Sequence, residues 1–140
     1  VARAMKEIGY AGYPISSALG PLTNMGQQLF EPPDVGGWSL GPAWFSTAAM
    51  LARMNFASSL VGRQRTDIQR VASGNGPTPE ALLSFCLDRL TPAPFEPGAY
   101  EALLAYLRGG GAWTGTDAQL RVKASGLLHL VVASSEYQLV

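Results

Sequence analysis

Residues 32–38, with the sequence PPDVGGW, constrain the fold of this chain more than any other segment. The two prolines have no backbone N–H and the two glycines tolerate positive φ angles, so the segment suits neither a helix nor a strand. A helical pattern follows, with Ser46 as its N-cap and Gly62 at its end. We expect the aromatic residues at the two ends of the loop, Phe30 and Trp38, to anchor it onto that helix.

Helix start and stop signals recur along the rest of the chain. Thr78 is a cap followed by a proline at the first helical position and an acid in the first turn. A second helix is predicted over 97–108, after a proline-rich linker that favours an antiparallel hairpin, and Thr116 begins a last long helix. Residues 10–21 are expected to be loop, and residues 22–30 allow a short helix.

The alternation of polar and apolar residues that marks a strand is scarce in this chain. Its 140 residues, 47% hydrophobic and 14% charged, suffice for a packed core. The sequence therefore predicts an all-α fold, an irregular bundle of about five to seven helices with long, ordered loops rich in proline and glycine.

Ten basic and ten acidic side chains give a formal net charge of zero. A nucleic-acid partner is therefore not expected, because phosphate binding needs a positive surface.

Met54 falls on the apolar stripe of the helix after Ser46, whereas Arg53 and Asn55 interrupt that helix and predict a solvated face. No apolar run reaches the ~18 residues of a membrane span, so no transmembrane segment is predicted.

One α-helical domain is expected over residues 1–140, with residues 73–77 as a candidate joint between two subdomains. The chain begins inside a helical pattern without a cap, and Ala4, Met5 and Ile8 form an apolar stripe that needs a partner surface. These features predict the C-terminal fragment of a longer protein. They also predict, as partners, the remainder of the parent polypeptide or other protein chains.

Neither His129 nor Cys86 belongs to a recognisable reactive site. His129 is the only histidine, and the residues three and four positions away on either side include no metal ligand. Cys86 is the only cysteine and lies in an apolar helical stretch, where desolvation raises the pKa of a thiol, so packing is its expected role. The sequence predicts no metal and no cofactor.

Asp34 and Trp38 give the proline-rich loop its candidate chemistry. A rigid aromatic ring beside a carboxylate suits contact with a sugar or a peptide, which makes Pro32, Pro33, Asp34 and Trp38 a candidate binding loop. Glu31 lies nearby and could pair with Asp34 as two carboxylates, so both are weak catalytic candidates. In a simpler interpretation Asp34 caps a turn and Trp38 fills the core.

Three blocks of the sequence match a known pattern in order. Residues 26–38 (GQQLFEPPDVGGW) resemble a GQ-LF-PP-V-GW block, residues 51–57 (LARMNFA) an L-R-NFA helix, and residues 130–139 (LVVASSEYQL) a closing L-LASPEFQ segment. These blocks are typical of the bacterial family called domain of unknown function 1800. Ser135 stands where proline is usual in that family, and Tyr137 where phenylalanine is usual.

Members of that family are usually several times longer than this chain and are typically predicted to be exported. The resemblance therefore implies a periplasmic, cell-surface or extracellular location, and a neighbouring exported protein as a partner. It assigns no activity to any residue.

Three hypotheses for the function stay open. The first is a non-catalytic structural or interaction domain of a larger exported protein, which an apolar outer patch would favour. The second is the C-terminal portion of a hydrolase acting on an extracellular polymer, which a cleft with converging carboxylates from Glu31 or Asp34 would favour. The third is a polysaccharide-binding surface around Trp38, Trp44 and Trp113, which exposed indole rings would favour.

Overall fold

The structure, a computed structural model, describes residues 16–28, 30–38, 41–62, 78–91 and 93–138. These residues contain α-helices, one 3-10 turn and no strand, which confirms the predicted all-α class. The apolar stripe at the N-terminus and the candidate joint at 73–77 lie outside the described residues.

Three of the described helices begin at caps that the sequence predicts. In chain order they are α1 (Ser16–Asn24), α2 (Thr47–Gly62), α3 (Pro79–Leu90), α4 (Pro97–Arg108), α5 (Asp117–Ala133) and α6 (Ser135–Gln138), with the 3-10 turn Gly41–Trp44 before α2. The hydroxyls of Ser46, Thr78 and Thr116 each accept a hydrogen bond from the backbone N–H three residues on, at 3.2, 3.1 and 3.4 Å. The predicted caps of α2, α3 and α5 are thus confirmed.

The bounds of α1 differ from the prediction. The helix begins at Ser16, inside the expected loop, and ends at Asn24 rather than continuing toward residue 30. Gly26 ends it with a φ of 77°, and the N–H of Gln27 donates to the carbonyl of Leu22 at 2.8 Å. This arrangement stops a helix because the glycine readily adopts the left-handed conformation.

The core of the described residues surrounds α5, which packs against α2, α3, α4 and α6. The buried side chains of α5 are Leu120, Ala124, Leu127, Leu128, Val131 and Val132. Apolar side chains of α2 and of the α3–α4 pair complete one cluster with them. On α2 the predicted stripe needs one correction: Met54 is exposed, because it lies one residue beyond the buried position 53.

α3 and α4 form the predicted antiparallel hairpin, since the start of α3 and the end of α4 lie side by side. Arg108 and Glu80 pair there at 2.6 Å, and this hydrogen bond holds the pKa of Glu80 below its usual value. α4 also contacts α5, where Lys123 donates to the carbonyls of Tyr106 and Gly109 at 2.9 and 2.6 Å. The ammonium group therefore satisfies carbonyls at the C-terminus of α4, where positive charge is favourable.

Candidate functional site

Residues 30–38 form an exposed loop between α1 and α2 that is closed by its own hydrogen bonds. The Asp34 carboxylate accepts the N–H of Gly36 at 2.7 Å, and the Asp34 carbonyl accepts the N–H of Gly37 at 3.1 Å. Gly37 has a φ of 87°, which a residue with a side chain rarely adopts. Asp34 therefore caps a turn, as the simpler interpretation had it.

The two candidate carboxylates, Glu31 and Asp34, are both exposed, and each is held by its own local contact. Glu31 accepts a hydrogen bond from the side chain of Gln28, whereas Asp34 holds the turn at Gly36. Neither of them lines the two clefts described below. Among the described residues, the Glu31 and Asp34 carboxylates therefore make hydrogen bonds only to nearby residues in sequence, Gln28 and Gly36.

The aromatic residues at the two ends of the loop have different surroundings. Phe30 is 86% exposed and has a φ of 64°, so the prediction that it anchors the loop is wrong. Val35, near the tip of the loop, is fully exposed. Trp38 is 37% exposed and lines a cleft with Trp44 and Ala48 at the start of α2. Trp38 thus faces a cleft that α2 also borders, and its anchoring of the loop stays a prediction, while Phe30 and Val35 lie on the surface.

The cleft beside Trp38 measures about 360 Å³ and separates the loop from the end of α1 and the start of α2. The described residues that line it are all uncharged: Thr23, Asn24, Met25, Gly26, Pro33, Trp38, Ala43, Trp44, Ser46, Ala48 and Ala49. Two members of the candidate binding loop, Pro33 and Trp38, are brought together here, whereas Pro32 and Asp34 are outside the lining. We call this the tryptophan cleft.

A second groove of about 380 Å³ continues from the tryptophan cleft along α1 and α2. The two cavities share Asn24 and Ala48, and the second extends past Leu51 and Asn55. Leu51 is 59% exposed at this groove. A continuous concave surface therefore runs from the loop along the outer side of α2.

Arg53 is buried, which corrects the prediction that it belongs to a solvated face. Only 7% of the residue is exposed, and its Nη1 donates to Oε1 of Gln138 at 2.6 Å. The guanidinium lies 5.7 Å from the centre of the Phe45 ring, within range of a cation–π interaction. Asn55, by contrast, is exposed as predicted.

The position of Arg53 could have been found from its spacing. It lies four residues after Ala49 and three and four residues before Phe56 and Ala57, all of which are buried. Residues at those intervals share one face of a helix, so Arg53 is in the middle of the apolar stripe. Its contact with Gln138 also joins two of the three blocks that carry the family resemblance, residues 51–57 and 130–139.

The remaining candidates have surroundings that suit packing. Cys86 is fully buried, and burial raises its pKa to about 12, in the direction predicted. His129 is half-buried on α5, and Trp113 is half-buried against the core, outside the tryptophan cleft.

In the part of the chain that the structure describes, no cluster of three or more His, Cys, Asp or Glu side chains could hold a metal ion. No described helix is long and apolar enough to cross a membrane.

These observations define a class of protein: an all-α domain that presents a proline-stiffened loop beside a neutral, tryptophan-lined cleft. The family described as "Protein of unknown function (DUF1800)" matches residues 1–139. The chain therefore belongs to this family, in agreement with the resemblance of its three blocks. No curated protein and no solved structure matches the chain.

Proposed function

We propose that this chain is a non-catalytic interaction domain of a larger exported bacterial protein, and that it binds another protein chain in a cell-surface or extracellular assembly. The exposure of Phe30 and Val35, at 86% and 110%, carries this proposal. Large apolar side chains are usually buried, and exposed ones that lie close together mark sites of contact. Here they lie on either side of Pro32 and Pro33, in one loop.

The loop is suited to binding because its conformation is restricted before a partner arrives. Pro32 and Pro33 fix two φ angles, and the bond from Gly36 to Asp34 closes the turn. A pre-ordered loop loses little conformational entropy on association. Burying an apolar side chain of this size contributes about 1.5–3 kcal/mol, so Phe30 and Val35 together could supply about 3–6 kcal/mol. That is the range expected of the central contacts of an interface.

The family supports the exported setting, since its members are typically predicted to be exported. The partner in this proposal is the remainder of the parent polypeptide or a neighbouring exported protein. The exposed Leu51 at the second groove offers further apolar area next to the loop. A specific contact buries ~1,000 Å² or more in total, so the partner would also have to cover surface next to the loop.

Sedimentation velocity of the 140-residue chain mixed with each candidate partner, the separately expressed remainder of the parent polypeptide or the neighbouring exported protein, tests the proposal. We expect a complex to form with one of them as the concentration rises from about 10 μM to 1 mM, the range that reports interactions of about 4–7 kcal/mol. The double variant Phe30→Ser/Val35→Ser should sediment as the free chain over this range. Val122→Ser is the matched control, because Val122 is an exposed apolar residue of α5, at 68%, outside the loop. A wild-type chain that forms no complex with either partner would contradict the proposal, as would equal effects of both substitutions.

A further inference from the structure

The tryptophan cleft has the size of a small-ligand site and an unusual chemistry for a surface depression. Its volume of about 360 Å³ falls within the range of ~300–1,000 Å³ that such sites occupy. Two indole rings, Trp38 and Trp44, line it, although they come from different elements, the loop and the 3-10 turn. The other described residues of its lining carry no charge. A ligand that fits this lining is therefore uncharged and has an apolar face.

The polar groups of the cleft are available to a ligand. The indole N–H groups of Trp38 and Trp44 and the side chains of Thr23 and Asn24 make no hydrogen bond to any described residue. The Ser46 hydroxyl accepts the N–H of Ala49 at 3.2 Å and still has its own hydrogen to donate. The cleft thus combines two tryptophan side chains with donors and acceptors that no described residue occupies.

We propose that the tryptophan cleft binds a pyranose unit of a neutral polysaccharide. One face of a pyranose ring carries C–H groups that stack on an indole, while its hydroxyls donate and accept hydrogen bonds at the edge. The amide of Asn24 and the hydroxyls of Thr23 and Ser46 offer both functions in return. A charged saccharide would find no counter-charge in this lining.

A proline-rich peptide is the competing occupant, since aromatic grooves also bind such segments. Proline has no backbone N–H, so a peptide of this kind offers mainly carbonyl acceptors. The amide oxygen of Asn24 and the hydroxyl oxygens of the cleft would then remain without donors. The mixture of donors and acceptors therefore favours a saccharide. Phe30 and Val35 do not line this cleft, so saccharide binding and the protein contact proposed above can fail independently.

Isothermal titration with cellohexaose, maltohexaose and chitohexaose, and with a proline decamer, tests the assignment. We expect at least one hexasaccharide to bind with a Kd of about 10 μM to 1 mM, the range of modest binding free energies. Trp38→Ala should weaken that binding about tenfold or more, because a stacked aromatic ring is a typical binding hot spot. Trp38→Tyr keeps an aromatic face and should stay within about threefold of wild type.

Trp113→Phe is the matched control, because Trp113 packs against the core outside the cleft, and it should leave the Kd unchanged. Circular dichroism of each variant shows whether the helical fold is retained, and Trp38→Tyr provides the comparison if Trp38→Ala does not fold. The assignment is overturned if none of the three hexasaccharides binds up to about 10 mM. It is also overturned if binding survives Trp38→Ala unchanged, or if the proline decamer alone binds.

Discussion

Arg53 and Gln138 form the contact through which the closing segment is fixed to α2, and its strength can be worked out from the structure. Arg53 is 7% exposed, and burial lowers its pKa from the usual value by desolvating the guanidinium. Its Nη1 reaches Gln138 at 2.6 Å, while its Nε is buried and has no hydrogen-bond partner among the described residues. Gln138 in turn donates to the carbonyl of Val132 at 2.6 Å. The amide therefore links a buried cation to the last turn of α5.

Gln138→Leu removes the only acceptor that the described residues provide for this guanidinium, at nearly constant side-chain volume. A hydrogen bond to a charged group is worth about 1.5–3 kcal/mol, and this is the expected loss in the free energy of unfolding. Arg53→Met removes the charge together with its desolvation cost and keeps most of the aliphatic stem. We expect it to lose less than about 1 kcal/mol, because apolar replacement of a buried charge is often close to neutral.

The double variant Arg53→Met/Gln138→Leu should be about as stable as Arg53→Met alone, since the guanidinium that needed the amide is gone. Urea unfolding followed by circular dichroism measures all four proteins, and the cycle should yield a coupling equal to the loss in Gln138→Leu, about 1.5–3 kcal/mol. Additive losses, or a loss below about 0.5 kcal/mol in Gln138→Leu, would refute a buried Arg53 held by Gln138.

Three further predictions concern α4, α5 and the buried thiol. A Cβ at Gly126 would overlap the Tyr106 hydroxyl and approach its Cζ to 2.6 Å, so Gly126→Ala should lower the free energy of unfolding by about 1–2 kcal/mol in urea. In a Tyr106→Leu background the same substitution should stabilise the chain by up to about 1 kcal/mol, through helix propensity. Lys123→Met should lower the free energy of unfolding by about 1–2 kcal/mol, because the carbonyls of Tyr106 and Gly109 lose a charged donor. Thermal melts would show this loss as a fall in Tm. An unchanged Tm would contradict the capping role of Lys123. The Cys86 thiol ionises near 9 when unfolded and near 12 when folded, so stability should fall as pH rises from about 9 to 12, and Cys86→Ala should remove that part of the slope.

The starts of α2, α3 and α5 were predictable because each depends on a cap and its near neighbours in sequence. A hydroxyl at Ser46, Thr78 or Thr116 reaches the N–H three residues on whatever the rest of the chain does. The turn at Asp34 is local in the same sense, since its carboxylate bonds Gly36 within the loop.

Two of the errors concern Arg53 and Phe30. The charge of Arg53 outweighed its helical spacing in the prediction, and its partner Gln138, 85 positions away in sequence, cannot be found from neighbouring residues. Phe30 was expected to anchor the loop because it stands at one end of it, but its ring is 86% exposed, and its φ of 64° is not evident from the sequence. The placement of Trp38 and Trp44 in one cleft depends on the path of the chain between α1 and α2.

Photo-crosslinking tests the interaction role of this domain most directly. Benzoylphenylalanine placed at position 30 of the full-length protein, in its native cell, should form crosslinks to a second protein chain or to a distant part of its own chain. The same group at Val122, the exposed control on α5, should form few. Equal yields at the two positions, or an absence of crosslinks at position 30, would contradict an interface at the loop.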